Sequence, residues 1–295
     1  MRPFSDIDRL AEAEVLDRVA APARDLVQKL LVRQDVKDAL HGVWLGHPLH
    51  PSLVHLSLGS FVSAGVLDLV PRTRRPAAAL IGLGLLTAAP AAASGWADYA
   101  DGHEEQQRVG IVHAAANITM ITGYVASLAA RLRGRSTRGA LWGWAALAVG
   151  SAGAALGGHM SYTQAMGANK TEPVPHVGPA EWTGVGALAD LAEGEPTRRL
   201  VGETPVLLVR HGDDVAALAD RCSHASAPLS DGSLQRVDGE GECVVCPWHA
   251  SVFRLADGAV VHGPATAPQP RFHTRVLAGR LEVRVVEHAG VPAGG

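Results

Sequence analysis

Two short runs in the last third of the sequence gather its soft metal ligands. Cys222-Ser223-His224 and Cys246-Pro247-Trp248-His249 each place a thiol and an imidazole within a few residues of each other. One such pair cannot complete a tetrahedral site, but two pairs can. They can surround a single zinc ion, which accepts both ligand types. They can also divide over two sulfide-bridged irons, thiolates on one and imidazoles on the other. In that second arrangement Cys222 and Cys246 hold one iron, and His224 and His249 hold the other. Each loop then serves both metals. Structural zinc sites usually use other spacings, which favours the two-iron arrangement. A third cysteine, Cys243, makes a C-x-x-C with Cys246. Side chains alternate along a strand, so Cys243 is expected to face away from Cys246 as a buried free thiol.

The run Cys246-Pro247-Trp248-His249-Ala250-Ser251-Val252-Phe253 resembles the second cluster-binding loop of the Rieske [2Fe–2S] family. The likeness extends from about 182 to 286. Leu255-Ala256-Asp257-Gly258 and Gly263-Pro264-Ala265-Thr266 look like the strand, turn and proline loop that follow in that family. The resemblance implies an all-β domain whose cluster ligands are Cys222, His224, Cys246 and His249. It also implies two supporting residues, Ser251, matching a family serine that hydrogen-bonds a bridging sulfide, and Pro264. Ala250 stands where the family most often has glycine. The quinol-oxidising members carry a tyrosine where this chain has Phe253 and a disulfide between the loops. Ala227 and Trp248 occupy those disulfide positions, so the bond cannot form. The resemblance is therefore to the ferredoxin-like and oxygenase-type members, with a potential below the quinol-oxidising class. Only 46 residues follow His249. That is too few for the mononuclear-iron domain of a soluble oxygenase, so an electron-transfer component is expected rather than a stand-alone enzyme.

The elements that would carry this site differ sharply along the chain. The 295 residues have a net charge of −3 and no basic patch suited to nucleic acid. Hydrophobic residues make up 47% but crowd into four segments, 51–70, 77–96, 109–130 and 140–158. Each is long enough to cross ~30 Å of hydrocarbon at ~1.5 Å per residue. Their glycine, alanine and serine would let helices approach closely in lipid. Ahead of them the chain reads as amphipathic helices. Pro22 is placed at the start of the second helix, with Leu26, Val27, Leu30 and Leu31 on one face, suited either to a membrane surface or to the protein's own packing. Pro173, Pro175 and Pro179 predict a semi-rigid, extended linker. The expected organisation is multidomain: amphipathic helices at 1–43, an all-α four-helix transmembrane bundle at 44–160, a linker at 161–181, an all-β Rieske domain at 182–287 and a flexible tail at 288–295.

Residues 41–165 also resemble an uncharacterised four-helix bacterial membrane family. The likeness rests on Gly46-His47-Pro48-Leu49-His50-Pro51, Ser94-Gly95-Trp96-Ala97-Asp98-Tyr99, His113 and Gly157-Gly158-His159. Four crossings would bring His47, His50, His55, His113 and His159 to one membrane face. Ionisable groups within spans raise a functional reading by default. These imidazoles form a possible second redox site for haem b, a metal or a quinone; the other reading is that they bond backbone carbonyls at helix interfaces. The expected function is a membrane-anchored electron carrier, working between redox partner proteins and this histidine site or the quinone pool. The alternatives are a membrane oxidoreductase with haem or metal in the bundle, and a non-catalytic redox sensor. Arg72, Arg74 and Arg75, with Arg131, Arg133, Arg135 and Arg138, mark two loops as cytoplasmic under the positive-inside rule, which puts the cluster domain outside. The missing inter-loop disulfide suits a reducing compartment, and on balance the domain is expected in the cytoplasm.

Overall fold

The computed structural model describes residues 5–286. The expected tail at 288–295 lies outside them. The chain forms two compact units. One comprises the residues up to Leu40 together with Pro48–Gly167; the other comprises His41–His47 together with the chain from Ala168 onward.

The first unit is helical, with α1 (Ser5–Ala11), α2 (Asp17–Leu30), α3 (Gln34–His41), α4 (Leu49–Asp68), α5 (Arg74–Ala100), α6 (Glu104–Leu132) and α7 (Ser136–Tyr162). Three helices, α5, α6 and α7, are long and apolar enough to cross a membrane. The expected fourth, α4, is 20 residues long, but two histidines and four serines dilute its apolar surface. Pro22 lies inside α2 rather than at its start. The helix begins earlier because Asp17 both suits the positive end of the helix dipole and is gripped by Arg108, with two nitrogen–oxygen distances of 2.7 Å. The Tyr99 hydroxyl donates to the Ala20 carbonyl and Gln28 to that of Ala100. Ala20 is therefore turned inward, while Val19, Leu26 and Leu30 are exposed.

The hairpins α4–α5 and α6–α7 repeat one another. Positions 63 apart in α4 and α6 meet as partners. The rings of Phe61 and Tyr124 stack with centroids 3.8 Å apart, and Arg131 donates to Asp68 at 2.7 Å. That ion pair is buried, with side chains 7% and 3% exposed. His50 and His113 are equivalent too. The first bonds the carbonyl of Ala91 at 2.7 Å and the second that of Gly153 at 2.8 Å. Each ring lies over a glycine, where an added Cβ would come within 2.7 Å of His50 at Gly95 and 3.0 Å of His113 at Gly157. Small residues here make room for imidazoles between close helices.

The second unit contains a short helix, α8 (Val174–Val177), and ten strands. Three antiparallel sheets have the orders β1-β10-β9, β2-β3-β4 and β5-β6-β7-β8. The strands are β1 (Thr183–Ala187), β2 (Thr197–Val201), β3 (Thr204–His211), β4 (Asp214–Ala219), β5 (Ser233–Val237), β6 (Gly241–Val245), β7 (Val252–Arg254), β8 (Val260–His262), β9 (Phe272–Leu277) and β10 (Arg280–Val285). β3 runs between two cores. Its alternation sends Val206 and Leu208 into one, with Leu281 and Val283, and Leu207 and Val209 into the other, with Phe253 and Leu229. The prolines predicted an extended linker, but residues 168–181 pack on this unit. Lys170 donates its backbone N–H to Ser223, Thr171 is buried, and Val285 donates to Pro179. Val174 sits against the first core, so burial overrides the stiffness of the prolines.

Candidate metal centre

Cys222 follows β4 and Cys246 follows β6, and the two loops are built alike. The Cys222 N–H donates to Ala227 at 2.8 Å, and the Cys246 N–H to Ser251 at 2.8 Å. In return the carbonyls of Cys222 and Cys246 accept from Ser226 and Ala250. Ser226 and Ala250 both have left-handed backbone, with φ of 67° and 56°. Each loop is thus a five-residue knuckle closed on its own cysteine. This explains the family's glycine at position 250, which relieves a backbone conformation that costs a residue with a Cβ about 1–2 kcal/mol.

The knuckles converge on the second core. Cys222 and Cys246 are 0% and 3% exposed and belong to the same cluster as Leu207, Ala227 and Phe253. The imidazoles of His224 and His249 are only half-buried and meet edge to face, with centroids 5.0 Å apart. The thiols therefore form an inner pair and the imidazoles an outer pair, with Trp248 52% exposed beside them. The thiols share a hydrogen bond. The hydrogen bond from Cys222, with help from the backbone N–H groups of Trp248 and His249, lowers the Cys246 thiol to about 6. The same bond and burial push Cys222 up. Two adjacent buried thiols cannot both ionise without positive charge between them, and a metal supplies that charge.

These residues fit a [2Fe–2S] centre. The Nδ1 atoms of His224 and His249 are buried and make no hydrogen bond, although both rings are engaged with neighbours. A two-iron cluster asks for only two protein ligands per iron. Cys243 is buried and unbonded to another cysteine; its thiol turns towards the Gly241 carbonyl.

The expected supporting residues lie on the same side of the domain. The Ser251 hydroxyl oxygen accepts from the Ala265 N–H at 3.0 Å, so its own proton remains to be donated. Pro264 precedes Ala265 in that third loop. Three supports are less visible in sequence. Ser223 donates to the Ala267 carbonyl at 2.7 Å, and Gln269 donates to that of Arg221. Buried Asp220 accepts from the Ser230 N–H and hydroxyl, fastening the first knuckle from below. These are ordinary polar residues; Ser223 and Asp220 carry only the signal of adjacency to Cys222, and Gln269 carries none.

The helical histidines have different settings. His55 is exposed, while His50 takes the packed position between α4 and α5. In His113 the Nδ1–H is held by the Gly153 carbonyl, and Nε2 accepts from Asn117 at 2.9 Å. Both nitrogens are thus occupied. His159 faces Asp8 at 3.4 Å. His47 is exposed and belongs to the second unit.

Comparison with known proteins follows the same division. Residues 181–276 match the family model of the Rieske [2Fe–2S] domain, and residues 46–170 match that of a predicted membrane protein family, DUF2231. The anthranilate 1,2-dioxygenase ferredoxin subunit of Burkholderia cepacia is 38% identical over 106 residues, covering 36% of this chain and 94% of that protein. Ferredoxin CarAc of Metapseudomonas resinovorans is 33% identical over 103 residues, covering 35% and 92%. Among solved structures, the ferredoxin of carbazole 1,9a-dioxygenase from Nocardioides aromaticivorans IC177 is 29% identical, covering 36% of this chain and 98% of its own, with a TM-score of 0.32.

Proposed function

Because the chain belongs to the Rieske [2Fe–2S] domain family, with a DUF2231 membrane-protein domain ahead of it, we propose that it is a membrane-held carrier of single electrons. Cys222 and Cys246 would hold one iron of a [2Fe–2S] cluster, and His224 and His249 would hold the other. When bound, the cluster supplies one-electron oxidation and reduction. The single observation that carries this reading is the pair of matched knuckles, each offering one buried thiol and one half-exposed imidazole against a shared core. The apolar core around them keeps water from the thiols. The imidazoles and Trp248 form the edge through which electrons enter and leave, and Ser251 directs its hydroxyl proton towards the site.

The relatives are ferredoxin subunits of dioxygenases, so the acceptor is an oxidoreductase that docks on this edge, and the donor is a reductase. Phe253 brings no hydroxyl and the three cysteines are free. The midpoint potential is therefore expected in the lower half of the Rieske range of about −150 to +300 mV. Free buried thiols also suit the cytoplasmic side. We assign α4 a crossing alongside α5, α6 and α7. The helical histidines act as staples between helices, and haem and quinone have no part in this reading.

The test is low-temperature EPR with iron analysis on the purified, detergent-solubilised chain. Dithionite should produce a rhombic signal from two irons per chain. His224→Ala should abolish it, and retention of bound iron in that variant would sink the assignment.

A further inference from the structure

The segment His41–His47 belongs to the cluster-bearing unit, although the chain enters it from α3 and leaves it into α4. Its centre is a single 3-10 turn, Val43–Leu45, bracketed by left-handed glycines, Gly42 and Gly46. His41 is 2% exposed. What the segment covers is Gly263, at the start of the third loop. A Cβ there would lie 3.0 Å from Cγ2 of Val43 and 3.6 Å from Cβ of His41, so the glycine lets the segment lie flush against the loop. On its other side the third loop is fastened to both knuckles. Ala265 donates to the Ser251 hydroxyl oxygen and Ser223 donates to the Ala267 carbonyl. One loop is thus held between the segment that precedes the first long helix and the two serines next to the cluster ligands.

We infer that His41–His47 is a clamp on the third loop, in which Val43 and His41 act as positioning residues that fix the Ser251 hydroxyl and thereby set the cluster's potential. The inference rests on the proposed cluster. Hydrogen bonds to cluster sulfur tune potential, and a bond to sulfide favours the more negative, reduced state. Loosening the clamp lets the Ala265 N–H drift from Ser251, which weakens the serine's hold and lowers the midpoint.

Two measurements on the full chain test this. In His41→Cys/Gly263→Cys the two Cβ positions fall within the range a disulfide spans, about 3.5–4.5 Å. Mild oxidation should therefore cross-link them, seen as two fragments held together on a non-reducing gel after cleavage between residues 48 and 262. Val43→Asp should lower the midpoint in the same direction as Ser251→Ala. The double variant should shift no further than Ser251→Ala alone, because both act through one hydroxyl. Failure of the cross-link, an unmoved potential in Val43→Asp, or fully additive shifts would each overturn the clamp. If Val43→Asp does not fold, formation or failure of the cross-link still decides. A wild-type chain without any cluster signal would overturn the cluster reading and this inference with it, even if the cross-link formed.

Discussion

Ala250 and Ser226 occupy the same place in the two knuckles, and both carry left-handed backbone that L-residues avoid. Ala250→Gly should therefore stabilise the domain. Relief of about 1–2 kcal/mol is set against the ~0.5–1 kcal/mol that glycine loses in entropy on folding. The expected gain is ~0.5–1 kcal/mol, read as a higher midpoint of thermal cluster loss. The cysteines divide by the same geometry. Cys243→Ala should keep two irons and the EPR signal, because its thiol turns to Gly241 rather than to the site. Cys246→Ala should lose both. At this scale the proposed ligands are legible because thiols and imidazoles in two tight loops have few other uses. Ser223 and Asp220 were not, because hydroxyls and carboxylates occur everywhere and only folding brings Ala267 and Ser230 to them.

Elements were legible in proportion to how many of their faces are buried. β3, covered on both sides, reads as a continuous apolar run over most of its span, Thr204–His211. β2 and β5 show no clean alternation, because Arg199 shares a face with buried Val201 and Arg236 shares one with Leu234; the three-residue β8 is too short to show a period. The long helices were plain, but their repeat was not, since Phe61 and Tyr124, or Asp68 and Arg131, are unlike in chemistry and only meet in three dimensions. The repeat predicts matched responses. Gly95→Leu and Gly157→Leu each drive a side chain into an imidazole and should each cost about 1–3 kcal/mol by overpacking. Gly158→Leu, next in sequence but facing open space, should be nearly neutral. Thermal unfolding in detergent would compare the three. An equal loss at Gly158 would show that the helices respond to bulk alone rather than to the stapled histidines.

For the molecule as a whole, the proposed four crossings rest on two features. The first is parity. His41–His47 precedes α4 and the residues from Ala168 follow α7, yet both build one compact unit. A bilayer cannot pass through a packed domain, so the chain between them must return to the side it left. With α5, α6 and α7 as crossings, the proposed arrangement gives α4 a crossing too. At 20 residues and ~1.5 Å per residue it spans ~30 Å, the thickness of the hydrocarbon core. The second is the repeat, in which α4 occupies the place that α6 occupies in the second hairpin. Single cysteines at exposed Arg33 and Arg236 should therefore react with a membrane-impermeant maleimide from the same side of sealed vesicles. The native cysteines are buried and give little background. Labelling from opposite sides would mean an odd number of crossings and would remove α4 from the membrane. The repeat is tested separately by charge. Arg131→Asp faces Asp68 with a second buried carboxylate and should cost about 3–5 kcal/mol. Because the two positions are equivalent, Asp68→Arg combined with Arg131→Asp rebuilds the same pair with its ends exchanged. It should recover most of that loss in detergent unfolding, whereas two helices without a shared axis would leave the exchanged pair as unstable as the single reversal.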